Sequence, residues 1–152
     1  MTSISYDDIF GSFLENITDY ELASKSISEA YSIMSGYLHK ALTNMYIHRL
    51  FAECKLNDDI QMFEYEIKHV VNDDIDREFI ITILGKGMVQ AWVSPKVQSI
   101  MNIMQMMSDK EKSFYSQSQH LKELQELKSN IETEIQRQID GRGFVYNSYL
   151  EG

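Results

Sequence analysis

Apolar residues recur along most of this chain in steps of three and four, the spacing that lines one face of an α-helix. Tyr6, Ile9, Phe10, Phe13, Leu14 and Ile17 follow Ser5 and Asp8, which resemble a helix start. Ser26 with Glu29 forms a capping box ahead of a second helix, whose Ile33, Met34, Tyr37, Leu38, Ala41 and Leu42 share a face. The pattern breaks around Thr43 and Asn44, then resumes with Ile47, Leu50, Phe51 and Cys54. Between 58 and 71 the spacing is ambiguous. Ile60, Phe63, Ile67, Val70 and Val71 fit a helix, whereas Phe63, Tyr65 and Ile67 alternate as in a strand; a short strand or extended arm is the preferred reading.

Asp73 or Asp74 then caps a helix that is apolar over much of its circumference, through Phe79, Ile80, Ile83, Leu84, Met88, Ala91 and Trp92. Such a helix belongs at the centre of a fold. Ser94-Pro95 is expected to interrupt it, because proline lacks an amide proton and disfavours helix just before itself. A further helix carries Val97, Ile100, Met101, Met104 and Met107. The last and longest helix is expected from about Lys110 to Asp140. It bears a narrow stripe of Leu121, Leu124, Leu127 (or Lys128), Ile131, Ile135 and Ile139, suited to packing on one neighbouring helix. Gly141 is expected to end it in a left-handed cap. The pattern gives a mainly α fold: a single-domain bundle of about five or six helices over 1–140, with a short β arm near 58–71 and an extended tail over 141–152.

That tail changes the picture, because "GRGFVYNSYLEG" is unusually apolar for a chain end. Phe144, Val145, Tyr146, Tyr149 and Leu150 must either fold back on the chain's own helices or dock elsewhere. An aromatic peptide beyond a glycine cap can fill a neighbour's groove or add to its sheet edge. Met101, Met104, Met106 and Met107 cover more than one helix face, and Tyr115 sits one residue off the leucine stripe. These are the candidate partner-binding residues; plain core packing is the alternative for the methionines.

At 152 residues the chain suits one domain with its own core. With 14 basic and 23 acidic residues the formal charge is 14 − 23 = −9, which opposes general binding to phosphate backbones. The same charge would let DNA pass by without sticking. Cys54 stands alone, so no intramolecular disulfide is possible. No basic-then-apolar leader opens the chain, and "FIITILGKGMVQAWV" is too short and too polar for a membrane span. An intracellular protein, soluble when made and without membrane contact, is expected.

Chemistry is hard to find. Asn72, Asp74 and Asp76 alternate like a calcium loop, but Arg77 and Ile83 stand where its glycine and glutamate belong. "GKG" at 85–87 lacks the other residues of a phosphate loop, and Gly85 and Gly87 instead suit close helix approach. His39, His48, His69 and His120 show no ligand spacing, and Cys54 has no flanking signature of a nucleophile. No catalytic residue, metal or cofactor is assigned, and the expectation is a protein of association rather than an enzyme.

"YDDIFGSFLENI" at 6–17, "GMVQAWVSPKVQS" at 87–99, "FYSQSQHLKELQEL" at 114–127 and the terminal "GRGFVYNSYLEG" resemble a family of small virion structural proteins of tailed bacteriophages infecting Gram-positive hosts. The resemblance runs in order over nearly the whole chain. Gln125, Asn130 and Gln136 depart from it, standing where the last helix is usually basic. It implies a head–tail connector (neck or adaptor) subunit that forms a ring between portal and tail, contacts virion neighbours, and surrounds a channel for DNA. On that reading the tail is a docking hook and 58–71 an arm. A tail or baseplate component is one alternative; a phage protein that binds a host enzyme is another.

Overall fold

The computed structural model describes residues 1–17, 20–106 and 111–151; side chains are described throughout these except at 20–21, 103–106, 111–118 and 144–151. The elements run β1 (Thr2–Ser5), α1 (Tyr6–Glu15), α2 (Tyr20–Ala23), α3 (Ile27–Ala41), α4 (Met45–His48), β2 (Phe51–Asn57), β3 (Met62–Ile67), α5 (Asp73–Met106) and α6 (Glu111–Glu151). The fold is mainly helical, with one small sheet.

Local chemistry sets several boundaries as read from the sequence. Ser5 Oγ accepts from the Asp8 amide at 3.3 Å to start α1. Ser26 Oγ accepts from the Glu29 amide at 3.2 Å to start α3. Asn44, where the periodicity broke, caps α4 by accepting from the Tyr46 amide at 2.9 Å. Asn72 rather than an aspartate takes the amides of Asp74 and Ile75 at the head of α5, at 3.1 and 3.3 Å.

The sheet has the order β1-β3-β2 and is antiparallel throughout. The strand preferred within 58–71 is β3, but it lies in the middle of a sheet rather than on a free arm. Two strands were not anticipated. Phe51 and Cys54, assigned by spacing to a resumed helix, lie on β2, where an irregularity between Phe51 and Glu53 sets them against Ile67 and Tyr65, two residues apart on β3, so that a three-residue step falls on one face of the sheet. β1 escapes periodicity because it is only four residues long. Ile4, Phe51, Phe63 and Tyr65 point inward from the sheet, and the rings of Phe51, Phe63 and Tyr65 lie within 5.8 Å of one another. The outward positions carry Ser3, Glu53, Lys55, Glu64 and Glu66.

α5 is the axis of the fold. Ile80, Ile83, Leu84, Met88, Val89 and Val93 are buried, and α1, α3, α4 and α6 all pack against this helix. Gly85 and Gly87 allow that approach from two sides. A Cβ on Gly85 would sit 2.9 Å from Ser12 Cβ and 3.2 Å from the Phe13 amide nitrogen in α1. One on Gly87 would meet Ala41 Cβ at 2.9 Å and Ile47 Cδ1 at 2.7 Å.

Pro95 does not end this helix; α5 runs unbroken from Asp73 to Met106. The proline is exposed, while Trp92, Val93 and Val97 on other faces are held by packing, which carries the helix through the one hydrogen bond that proline cannot make. Gly141 is likewise not a cap. No glycine among the described residues has a positive φ, and α6 stays helical to Glu151, so over 141–151 the extended tail expected for 141–152 is replaced by helix. The physical reason is that α6 is held on both sides of the glycine: Ile139 packs against the core, and Arg142 forms a buried ion pair.

Candidate association surface

α6 behaves as its narrow stripe implied. Leu124, Ile131 and Ile135 are buried, Leu121, Leu127 and Ile139 are half-buried, and the helix packs chiefly on α5 with a small contact to α4. Two polar contacts lie along the antiparallel pair. Lys86 Nζ lies 3.1 Å from Glu134 Oε2, and Arg142 Nη1 lies 2.7 Å from Asp76 Oδ1. Residue 142 is therefore level with the first turn of α5, and only about one more turn of α6 has α5 beside it.

This alignment locates the residues expected to bind partners. Met101 lies near the carboxyl end of α5 and is exposed. Met104, Tyr115 and residues Phe144, Val145, Tyr146, Tyr149 and Leu150 lie on helical backbone, but their side chains are outside the described residues, and Met107 is outside them altogether. The two groups are not brought together. Along the α5–α6 pair, position 101 and positions 144–150 are about 40 Å apart or more, at 1.5 Å per residue. They mark opposite ends of the helical hairpin.

Between those ends, a groove of about 610 Å³ opens where α3 and α4 meet α5 and α6. Asn44, Met45, Tyr46, Gln90, Ser94 and Glu132 are among its lining residues, and Met45 is 70% exposed at its edge. Asn44 Nδ2 donates to Gln90 Oε1 at 2.9 Å across its floor, and Ser94 Oγ donates to the Gln90 carbonyl at 2.8 Å.

A second cluster was invisible in the sequence because its members are far apart in the chain. The buried Tyr6 hydroxyl donates to Asp58 Oδ1 at 2.6 Å, and His39 Nε2 lies 3.0 and 2.9 Å from the two Asp58 oxygens. Burial, then the bond to Asp58, pushes the Tyr6 hydroxyl well above its ordinary range. The Tyr6 bond, reinforced by His39, holds the Asp58 carboxyl below its usual value. Asp58 lies in the β2–β3 turn, which also contains Gln61 at φ 55°. The Gln61 carbonyl accepts from the Tyr6 amide at 2.9 Å. The cluster thus ties the start of α1, the end of α3 and the hairpin turn together. Burial raises the Cys54 thiol, which works against its use as a thiolate. Among the described residues no group of three or more His, Cys, Asp or Glu side chains could hold a metal ion, and no helix is long and apolar enough to cross a membrane.

Comparison of the chain with protein-family models, curated proteins and solved structures finds no match.

Proposed function

We propose that this protein is a structural subunit of a tailed-phage particle, a head–tail connector that assembles as a ring between portal and tail. The observation that carries this reading is the run of α6 past the first turn of α5. It carries the end of the aromatic-rich segment, from about residue 146 to residue 150, beyond the helix that covers the rest of the α6 stripe. Closing a ring requires a head-to-tail interface, and so two different surfaces on each subunit. The methionine-bearing end of α5 and the carboxyl end of α6 supply them at opposite ends of one hairpin. Each contact is modest, but ring closure engages all of them together, so effective concentration strengthens the assembly. The resemblance over 6–17, 87–99, 114–127 and 141–152 supplies the particle context. The charge of −9 suits subunits around a passage through which DNA must slide.

The docking element is a helix rather than an extended hook, so its mode of recognition is an apolar helix face laid into a groove. Mass spectrometry of purified phage particles with chemical crosslinks tests the proposal. The expected result is crosslinks from the 143–152 segment to a second copy of this chain or to portal or tail proteins. Absence of the protein from purified particles would overturn it.

A further inference from the structure

The stripe by which α6 holds α5 is repetitive. Ile131, Ile135 and Ile139 are identical residues spaced by four, preceded by leucines at 121, 124 and 127. Over 131–139 a slide of four residues, about 6 Å, would put one isoleucine where the next now sits, so there aliphatic burial alone specifies the alignment weakly, whereas at Leu124 the same slide would bring in His120 or Lys128.

The polar contacts on this interface have no such degeneracy. Arg142 and Asp76 are 8% and 4% exposed in their side chains, with Nη1 2.7 Å from Oδ1. Arg142 Nη2 donates to the His69 carbonyl, and the guanidinium stands 5.0 Å from the centre of the Phe79 ring. Asp76 Oδ2 accepts the amides of Val71 and Asn72 at 3.0 and 3.2 Å, while Oδ1 has no hydrogen-bond donor and only the charge of Arg142 facing it. The half-turn of chain before α5, the first turns of α5 and the carboxyl part of α6 therefore meet at one guanidinium. Lys86 and Glu134 repeat the arrangement ten residues along α5 from Asp76 and eight along α6 from Arg142, with Glu134 half-exposed.

Burying an ion pair costs desolvation that apolar packing does not, so such a pair contributes little net stability relative to an apolar replacement. Its best-attested use is to select one alignment out of several that are similar in energy. We infer that Arg142 and Asp76, assisted by Lys86 and Glu134, are the register pin of the α5–α6 hairpin, and that Arg142 is the positioning residue for the carboxyl-terminal segment. A slide of one turn would advance or retract that segment by about 6 Å relative to the body. The inference deepens the proposed docking role, but it concerns the isolated chain and is tested there.

Spin labels at Ser99→Cys and Thr133→Cys, both at exposed positions, report the α5–α6 register as a distance in the full-length chain with Cys54→Ser. Arg142→Ala would strand the Asp76 charge and is uninformative alone. Asp76→Asn with Arg142→Met instead keeps an acceptor for the Val71 and Asn72 amides and fills the guanidinium's volume. The same pair with Lys86→Met removes the second contact. The expected result is one narrow distance in the parent chain. The double variant should be helical, with its melting temperature within a few degrees of the parent's, and should show an added population displaced by about 6 Å, larger still in the triple variant. A triple variant with the parent's single narrow distance would overturn the inference. So would a double variant that melts far below the parent, since the pair would then be serving stability. Either result leaves the phage-particle reading untouched, and absence from particles would leave the register pin standing.

Discussion

The body and the arm of this molecule use apolar side chains in different ways. In the body, residues from β1, α1, α3, α4, the sheet and the amino-terminal half of α5 converge. Ile4, Tyr6, Phe13, Leu38, Ile47, Phe63 and Ile83 are fully buried although they are spread over some eighty residues of the chain, from 4 to 83. In the arm, α6 leans on essentially one helix through a stripe one residue wide. A body of this kind closes only when all its parts are present, because each side chain has partners on several elements. The arm, whose Leu124, Ile131 and Ile135 join the body's core along a single stripe, is expected to lose its contacts a turn at a time. The lesson is that, among the described residues, the arm rests its apolar side chains on far fewer elements than the body does, which is the property the proposed docking role asks of it.

The strongest way to break the contrast is to cut a large side chain from each region. Phe63→Ala, at the centre of the sheet's inner face, should cost about 3–5 kcal/mol and lower the denaturant midpoint of the whole chain. Ile135→Ala should cost about 2–4 kcal/mol by equilibrium unfolding. Hydrogen exchange separates the two further: Ile135→Ala should speed exchange in 124–145 with the β3 amides still protected, whereas Phe63→Ala should speed both. Equal loss of protection in β3 from Ile135→Ala would mean that body and arm are one cooperative unit.

The glycines sharpen the contrast at lower cost. Gly85→Ala forces a methyl group against Ser12 and the Phe13 backbone, and should destabilise by about 1–3 kcal/mol, read as a fall in Tm. Gly141→Ala should do the opposite. Nothing lies within 4 Å of its Cβ position and the backbone there is helical, so Tm should rise by the equivalent of about 0.5–1 kcal/mol. A drop in Tm for Gly141→Ala would restore the left-handed cap.

The Tyr6–Asp58–His39 cluster marks where the body's stability should depend on pH. The Tyr6 hydroxyl titrates above its ordinary 10.0 in the folded chain. Its contribution is fully present below that value and is lost as the pH rises through the folded one. Asp58, held low, contributes above its ordinary 3.8, and that contribution is lost as the pH falls through its folded value. Denaturation midpoints across the pH range should therefore fall on both flanks, and Tyr6→Phe should flatten both limbs while costing about 1–2 kcal/mol near neutrality. Unchanged limbs would mean that other groups set the pH response.

Local signals were legible in the sequence where local chemistry decides the outcome. Ser5 and Ser26 stand at helix starts because a side-chain oxygen three residues ahead of an amide needs no tertiary help, whereas Asn44, legible only as a break, is a cap of the same kind. The central helix around Ile80–Trp92 and the close approach at Gly85 and Gly87 were legible for a similar reason, since apolar circumference and missing side chains have few other uses. Pro95 and Gly141 misled because each breaker is outvoted by packing on both sides of it. β2 misled because the irregularity between Phe51 and Glu53 adds a residue to the strand, so that Phe51 and Cys54 fall on one face at a step of three, the step of a helix. Of the candidate surface, the sequence supplied the residue types; the alignment of α5 with α6, which puts Met101 and residues 144–150 at opposite ends, depends on Lys86, Glu134, Asp76 and Arg142. The His39–Asp58 contact spans 19 residues and the Tyr6–Asp58 bond spans 52, beyond the reach of spacing arguments.

Truncation after Arg142 addresses the central claim directly. Particles grown with a chain ending at residue 142 as their sole copy are compared with particles carrying the full chain, by quantitative mass spectrometry and electron microscopy of their necks. The account predicts a truncated protein whose helical content and melting are close to the parent's, but which is missing from the particles. A shortened chain retained at the full level, in necks of normal appearance, would contradict it.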